Sequence, residues 1–258
     1  MDYEQKQDQT IEIMDVCLLA GEIMLRSGAE TYRVEDTMVR IAAAYGIMHT
    51  QSYVTPTAII FSSGSHSPTE LVRISDRSTD LQKVAKVNSV SRLISSGELT
   101  VKEAFAQLKE IEQDAQAYPI WLQIVAAALA SGCFLIMYQG GWGDFLPALM
   151  TGAIGFSCLI YFHQLVEIKF FAEFLAAIII GMLSVLFVVQ GLGADLDKII
   201  IASVMPLVPG LLITNAVRDL MVGHLVSGMS KGAEAFLTSF AIGSGVAVVF
   251  SFLSRING

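Results

Sequence analysis

The sequence predicts an α-helical polytopic membrane protein with about five transmembrane helices and an N-terminal cytosolic α/β domain. The chain has 258 residues, of which 53% are hydrophobic and 16% are charged. Soluble domains carry roughly 25% charged residues. The charges are also unevenly spread, because 28 fall in residues 1–117 and 12 in residues 118–258. We therefore expect a cytosolic domain over residues 1–117 and a membrane domain over residues 118–258.

Five apolar runs follow residue 117, and each has about the 20 residues that a helix needs to cross a bilayer. Tyr and Trp residues near their ends fit the aromatic belts of membrane interfaces. The runs also lack the polar stripes that the helices of a large soluble core would show. We expect transmembrane helices at residues 118–138, 142–162, 170–189, 199–217 and 235–253.

The N-terminus is polar and acidic, without the basic start and apolar run of a signal peptide. We therefore expect a multi-pass protein of the cell membrane whose N-terminus is cytoplasmic. Lys and Arg in the short loops favour this orientation only slightly.

Several partners are not expected. The formal net charge is −8 and no basic patch points to nucleic acid. The three cysteines, Cys17, Cys133 and Cys158, show no paired spacing, and the four histidines are scattered. The sequence therefore predicts no metal site and no cofactor.

The fourth apolar run contains Pro206, Pro209 and Gly210 near its centre. Proline removes a backbone donor and clashes with the preceding turn, so we expect two half-helices. Transporters place substrate against such breaks, where a half-helix N-terminus suits an anionic group. The alternative is a proline kink that binds no ligand.

Three polar residues, Asn215, Arg218 and Asp219, follow the break at offsets of three and four. On a helix these offsets share one face, which would line one side of a polar path. Arg218 is equally well explained as an anchor at the cytoplasmic boundary. The three residues and the break are our candidates for the substrate pathway.

Two other carboxylates lie within apolar runs, Asp144 in the second and Glu173 in the third. An unpaired carboxylate is costly there, so both are candidates for a proton relay. For Asp144 a place at the interface is the favoured alternative. For Glu173 the alternative is an ion pair with Lys169, four residues before it.

The N-terminal segment combines helical and extended patterns. Helical spacing predicts two helices in residues 11–47 and two more in residues 79–97 and 100–113. Residues 49–64 and 69–75 are rich in β-branched residues and predict two strands in a hairpin. Two pairs have capping-box spacing, Ser27 with Glu30 and Thr100 with Glu103.

A membrane-anchored hydrolase or sensor is the alternative function. Its candidate features are a turn with Ser62, Ser63, Ser65 and His66, and a dense polar set in residues 30–40. A Ser-rich turn is typical of hairpins, and a polar set is more often a solvated face. Five spans with one broken are also more than an anchor needs. We expect no catalytic residues.

Two segments, "AGEIMLRSGAETYRVEDTMVRIAAAYG" and "MPLVPGLLITNAVRDLMVGHLVSGMSKGAEA", together with the domain order, resemble the threonine/serine exporter family. The resemblance covers nearly the whole chain. It implies export of small amino acids, or of dicarboxylates such as succinate, driven by the proton motive force. The matching motif positions are Pro206, Pro209, Gly210, Asn215 and Asp219.

Fused members of that family carry two membrane halves, and this chain resembles the first half only. The resemblance therefore implies a second small membrane subunit as a partner, beside the lipid bilayer and the substrate. The leading hypothesis is a subunit of a secondary exporter.

Overall fold

The computed structural model describes residues 2–64, 69–114, 118–166 and 168–256. Over these residues the chain is mostly helical, with ten α-helices and three strands. The chain divides into two compact units. We call them the mixed unit, Met1–Ala117 with Leu212–Gly232, and the helical unit, Tyr118–Leu211 with Ala233–Gly258.

The mixed unit begins with two helices, α1 (Asp2–Arg26) and α2 (Thr31–Ala44). Ile13, Cys17, Ala20 and Met24 recur at helical spacing on α1 and are buried, and Val16, Leu19 and Ile23 are buried as well. Since α1 is buried on most of its circumference, it is the central helix of this core. Val54, Ile59 and Phe61 and apolar residues of 84–111 supply the other walls.

Three antiparallel strands follow α2 in chain order: β1 (Gln51–Thr55), β2 (Ala58–Ser62) and β3 (Thr69–Arg73). The prediction of two strands was therefore wrong in number. Pro56 and Thr57 form the turn that joins Thr55 to its partner Ala58, because proline favours a turn and cannot donate to a ladder. Ser65 and His66 of the Ser-rich turn lie outside the described residues.

Two further helices complete this part, α3 (Leu81–Ser95) and α4 (Val101–Gln113), as predicted. The capping box of Thr100 and Glu103 is confirmed, since the side chain of each residue bonds to the backbone of the other. The predicted box of Ser27 and Glu30 is wrong, because Glu30 itself precedes α2 and Ser27 belongs to the end of α1.

The helical unit contains α5 (Ile120–Met137), α6 (Phe145–Leu165), α7 (Lys169–Val189) and α8 (Leu196–Val204). The last two helices, α9 (Gly210–Val222) and α10 (Leu225–Ile256), contribute to both units. Among the described helices, four are long and apolar enough to cross a membrane, and α8 with α9 makes a fifth if the bent pair is one span. The predicted polytopic membrane fold is confirmed at this level.

Small residues let the helices of this unit approach closely. A Cβ added at Gly152 on α6 would lie 2.0 Å from Ser131 Oγ of α5. One added at Gly245 on α10 would lie 2.5 Å from the carbonyl oxygen of Phe174 on α7. Within a bilayer, helices associate through such close packing rather than through the hydrophobic effect.

Candidate functional site

The helix break is present where the prolines predict it. Helix α8 ends at Val204, a 3-10 turn covers Met205–Leu207 with Pro206 inside it, and α9 begins at Gly210. Pro209 directly precedes α9. Proline cannot donate the hydrogen bond that would continue the first helix, and its ring disfavours a helical residue before it.

The polar face of α9 contacts the connection between α1 and α2. Asn215 is 7% exposed, and its Nδ2 donates to the carbonyl oxygen of Gly28 at 3.0 Å. Arg218 forms an ion pair with Glu30. Asp219 is fully buried and bonds to Thr31. The three sequence-predicted residues therefore share one face, and the structure brings them together with residues 28–31.

Gly28 allows this connection to turn tightly. Its φ of +86° lies in the left-handed region, where a side chain is strained and glycine is not. The amides of Gly28 and Ala29 donate to the carbonyls of Leu25 and Met24, which is the Schellman arrangement that ends a helix. The turn leaves the carbonyl of Gly28 free to accept from Asn215.

The centre of the site is a buried polar cluster of Thr31, Asp219 and Lys231. Asp219 Oδ2 accepts from Lys231 Nζ and from Thr31 Oγ1, each at 2.8 Å, and Oδ1 accepts from the Thr31 amide at 3.2 Å. Lys231 Nζ also donates to Thr31 Oγ1 at 3.1 Å and weakly to the Ala29 carbonyl at 3.5 Å. All three cluster residues are at most 4% exposed.

This cluster is electrically balanced. The carboxylate of Asp219 and the ammonium of Lys231 cancel, and the three protons of the ammonium have three acceptors. Thr31 is the first residue of α2, so its amide is one of the donors that a helix start leaves unpaired. Asp219 therefore caps α2 from another helix, where a negative charge is favoured by the helix dipole.

The pairing of Arg218 with Glu30 extends this site to the surface. The side chain of Arg218 is 57% exposed and that of Glu30 is 10% exposed. Arg33 approaches the other oxygen of Glu30 at 3.4 Å. A pair with one exposed partner contributes only modest stability, so it adds a weaker connection between α9 and residue 30 than the buried Asp219 does.

A second acidic residue of α2 approaches the junction of α9 and α10. Glu35 Oε1 accepts from the amide of Val54 at 2.8 Å and lies 3.7 Å from His224 Nδ1. Burial raises the pKa of Glu35, against the lowering effects of the Val54 hydrogen bond and of His224. A cavity of about 330 Å³ lies beside this pair.

The two relay candidates belong to the helical unit. Asp144 is 2% exposed, and its Oδ1 accepts from the amides of Ala194 at 2.5 Å and Asp195 at 3.4 Å. It therefore holds the loop before α8.

Glu173 is 4% exposed. Its Oε2 lies beside Thr238 Oγ1 and interacts with it, although neither atom makes a well-formed hydrogen bond among the described residues. The alternative, an ion pair with Lys169, is not formed, because Lys169 pairs with Glu234 of α10 at 3.0 Å. Glu173 is thus a buried, weakly partnered carboxyl group in an apolar surrounding that includes Ala172 and Ala176.

Sequence reasoning missed Thr31 and Lys231 as partners of Asp219. Thr31 was one member of a dense polar set, and Lys231 was counted only among the loop charges. One signal was available: Lys231 stands between Gly228 and Gly232, and small neighbours allow a long side chain to be enclosed. Nothing in the sequence showed that Asp219 meets a threonine 188 residues away.

Metal binding finds no support in the part of the chain that the structure describes, where no three His, Cys, Asp or Glu side chains are grouped to hold an ion. Cys17 is buried, Cys133 is exposed and Cys158 is intermediate. Burial raises the pKa of the Cys17 thiol to about 12, so this thiol is unreactive near neutral pH.

These features define a polytopic membrane protein with an interrupted helix pair, α8 and α9, in which α9 places the buried Asp219 against Lys231 of α10. Discontinuous helices of this kind are used by secondary transporters. The chain belongs to the threonine/serine exporter family: the family described as "Putative threonine/serine exporter" matches residues 15–253. Its relatives identify it as a transporter rather than an anchored hydrolase or sensor.

Similar proteins fall into two groups by length. The "Probable succinate transporter subunit YjjP" of Klebsiella aerogenes is 26% identical, and that of Escherichia coli K12 is 25% identical. The alignment with the Klebsiella protein covers 92% of this chain and 92% of that protein. The alignment with the Escherichia coli protein covers 95% of this chain and 96% of that protein.

The "Probable threonine/serine exporter" of Mycobacterium tuberculosis is 23% identical over 93% of this chain, but this chain covers only 46% of that protein. No solved structure matches the chain.

Proposed function

We propose that this chain is one subunit of a two-component secondary exporter in the cell membrane, with the mixed unit's N-terminal part in the cytoplasm as a cytosolic α/β domain. The length relationship supports a subunit: the chain aligns end to end with two proteins named as transporter subunits and with about half of a longer exporter. The missing half would be a second, small membrane protein.

The substrate we propose is a small carboxylate-bearing solute. Succinate, threonine and serine, the solutes in the relatives' names, all carry a carboxylate. The end-to-end match with the succinate transporter subunits favours a dicarboxylate. Pro206, Pro209 and Gly210 would border the pathway, because a helix interrupted within a span frees backbone groups for a ligand.

The interrupted span is the observation that carries this proposal. Its second half, α9, is tied by Asn215, Arg218 and Asp219 to residues 28–31. A movement of α9 that opened a pathway would have to break or carry along these contacts. We therefore assign the three residues to a latch that holds one state of the pathway.

We also propose coupling to the proton motive force, with Glu173 as the stronger relay candidate in the helical unit. Its Oε2 makes no well-formed hydrogen bond among the described residues and has Thr238 as a polar neighbour, whereas Asp144 is held by two backbone amides. A carboxyl group that is buried with so little compensation is where a membrane protein most readily changes its protonation.

Efflux from loaded cells tests the proposal. Cells would express this chain alone, a small membrane protein encoded beside it alone, or both, and the loss of succinate, threonine and serine would be measured. We expect succinate efflux only with both chains. If none of the three solutes leaves the cells faster than it does with the empty vector, the proposal is refuted.

The latch is tested separately with Asp219→Ala and Asn215→Ala, compared at equal membrane abundance. We expect each variant to lower succinate efflux at least several-fold. Asp36→Asn is the matched control, because Asp36 is exposed on α2 and pairs only with Arg40 among the contacts that the structure shows. Unchanged efflux in both Ala variants would exclude the latch.

A further inference from the structure

A cavity of about 330 Å³ lies inside the mixed unit, between α2, strand β1 and the junction of α9 and α10. Its lining consists of Glu35, residues 52–54 and residues 223–227. The titratable side chains in this lining are Glu35, Tyr53 and His224. Two of them, Glu35 and His224, face each other across 3.7 Å.

Glu35 is held in place by the free edge of the sheet. Strand β1 is an edge strand, since it pairs with β2 alone in the order β1-β2-β3. The outward amide of Val54 donates to Glu35 Oε1, and the outward carbonyl of the same residue accepts from Ser227 Oγ at 3.2 Å. One residue of the strand edge therefore fixes both walls of the cavity.

Hydrogen bonds hold the backbone of His224, while its ring stays accessible to water. Gly223, at φ +95°, ends α9, and the amide of His224 donates to the carbonyl of Asp219 at 2.9 Å. The carbonyl of His224 accepts from Gly228 at 2.9 Å within α10. Its side chain is 21% exposed, so water reaches the ring.

We propose that Glu35 and His224 form a proton-binding site that opens onto this cavity. A carboxylate and an imidazole this close can take up one proton as a unit, either on the ring as an ion pair or on the carboxyl group as a neutral pair. The role of this proton in coupling rests on the proposed function, whereas the binding of the proton at this site does not.

The charges around the pair leave the site free to titrate. From α9, Asp219 acts on Glu35, but its charge is balanced by Lys231 of α10. On α2, Arg33 pairs with Glu30, and Asp36 pairs with Arg40. From β1, the side chain in the lining that could carry a charge is that of Tyr53. The nearest uncompensated partner of each member is therefore the other member.

Proton binding would act on the same elements as the latch. A charged Glu35 carboxylate makes a stronger hydrogen bond with the amide of Val54, and a charged His224 ring is attracted to that carboxylate. Loss of the shared proton leaves a single negative charge and removes the attraction between α2 and the junction of α9 and α10. Protonation thus favours the arrangement in which α9 is held.

Nuclear magnetic resonance of the full chain in lipid nanodiscs, with labelled histidine rings, tests the site directly. The chain has four histidines, and His224→Asn identifies the signal of His224 by its loss. We expect the pH at which the His224 ring signal changes to be lower in Glu35→Gln than in the wild type, because the neutral amide no longer favours the charged ring. The amide oxygen of Gln still accepts from Val54, so the fold is retained.

Asp36→Asn is the matched control, because it removes the same charge one residue away on the exposed side of α2. Its His224 midpoint should equal that of the wild type. An unchanged midpoint in Glu35→Gln, or an equal fall in Asp36→Asn, would overturn the proton-binding site even if the chain exports succinate.

The coupling role has its own measurement. If the two-chain system exports succinate, the pH profile of efflux should shift in Glu35→Gln and stay unchanged in Asp36→Asn. A coupled His224 titration with an unshifted efflux profile would overturn the coupling role. If the wild type shows no efflux, the proposed function is refuted, and the magnetic resonance result alone decides whether the proton-binding site exists.

Discussion

Asp219 Oδ2 and Lys231 Nζ lie 2.8 Å apart, with side chains that are 0% and 5% exposed. A buried ion pair is expensive to desolvate, but removing one partner costs more, because the other charge remains buried alone. The pair joins α9 to α10, and through Thr31 it also joins both helices to α2.

Removing one charge of this pair should destabilise the protein strongly. We expect Asp219→Ala and Lys231→Met each to lower the free energy of unfolding by about 3 kcal/mol. The double variant should lose less than the sum, because neither charge is then stranded. Denaturant titration in detergent micelles measures this coupling. Asp195→Asn, which breaks an exposed pair with Lys198, should cost only about 0.5 kcal/mol, and additive single effects would contradict the pairing.

Two Thr→Val substitutions should separate a bonded hydroxyl from a weakly partnered one. Thr31 Oγ1 bonds to both Asp219 and Lys231, so Thr31→Val should cost about 1–3 kcal/mol of unfolding free energy. Thr238 Oγ1 is buried beside Glu173 without a well-formed hydrogen bond among the described residues. Thr238→Val should therefore cost clearly less than Thr31→Val, as thermal melts in micelles would show. Equal losses in the two variants would contradict this assignment.

Gly210→Ala should separate the pathway role of the break from its role in the fold. An added Cβ at Gly210 meets nothing within 4 Å, and alanine is the better helix former. We expect the melting temperature to stay the same or rise while succinate efflux falls. Gly143→Ala, where a Cβ also meets nothing within 4 Å, is the control. The pathway assignment fails if both variants export equally at equal abundance.

The pH dependence of stability should report on Glu35. Burial raises its pKa above the ordinary 4.5, so the folded chain binds this proton more tightly than the unfolded chain. This group therefore adds stability below pH 4.5, and the contribution is lost as the pH rises through the raised folded value. Relative to wild type, Glu35→Gln should show a smaller fall in stability over that window, measured by thermal melts from pH 4 to 8. An unchanged slope would contradict a raised pKa.

Much of the fold followed from local patterns. Apolar runs of membrane length, helical spacing in residues 11–47 and the capping box of Thr100 and Glu103 all depend on residues that are close in sequence. Strand number was the exception. Pro56 lies within one β-rich segment, and sequence reasoning missed that the chain reverses there. The turn at Pro56 therefore decides whether this segment forms one strand or two.

The candidate site was predicted in part. Spacing alone placed Asn215, Arg218 and Asp219 on one face, because a helix fixes which offsets coincide. It did not find their partners, and by the same rule it offered an ion pair of Lys169 with Glu173 as one alternative, although Lys169 bonds to Glu234. An i, i+4 offset makes a pair possible, but a competing partner on another helix decides it.

The sequence by itself determined that this chain crosses a membrane, that one span is interrupted at Pro206 to Gly210, and which family it resembles. These properties follow from composition, from the chemistry of proline and from motifs that are read along the chain. Only the tertiary structure decided that Asp219 meets Lys231 and Thr31, and that Glu35 faces His224. Such contacts join residues up to 189 positions apart, and nothing local encodes which buried charge will be compensated by which distant side chain.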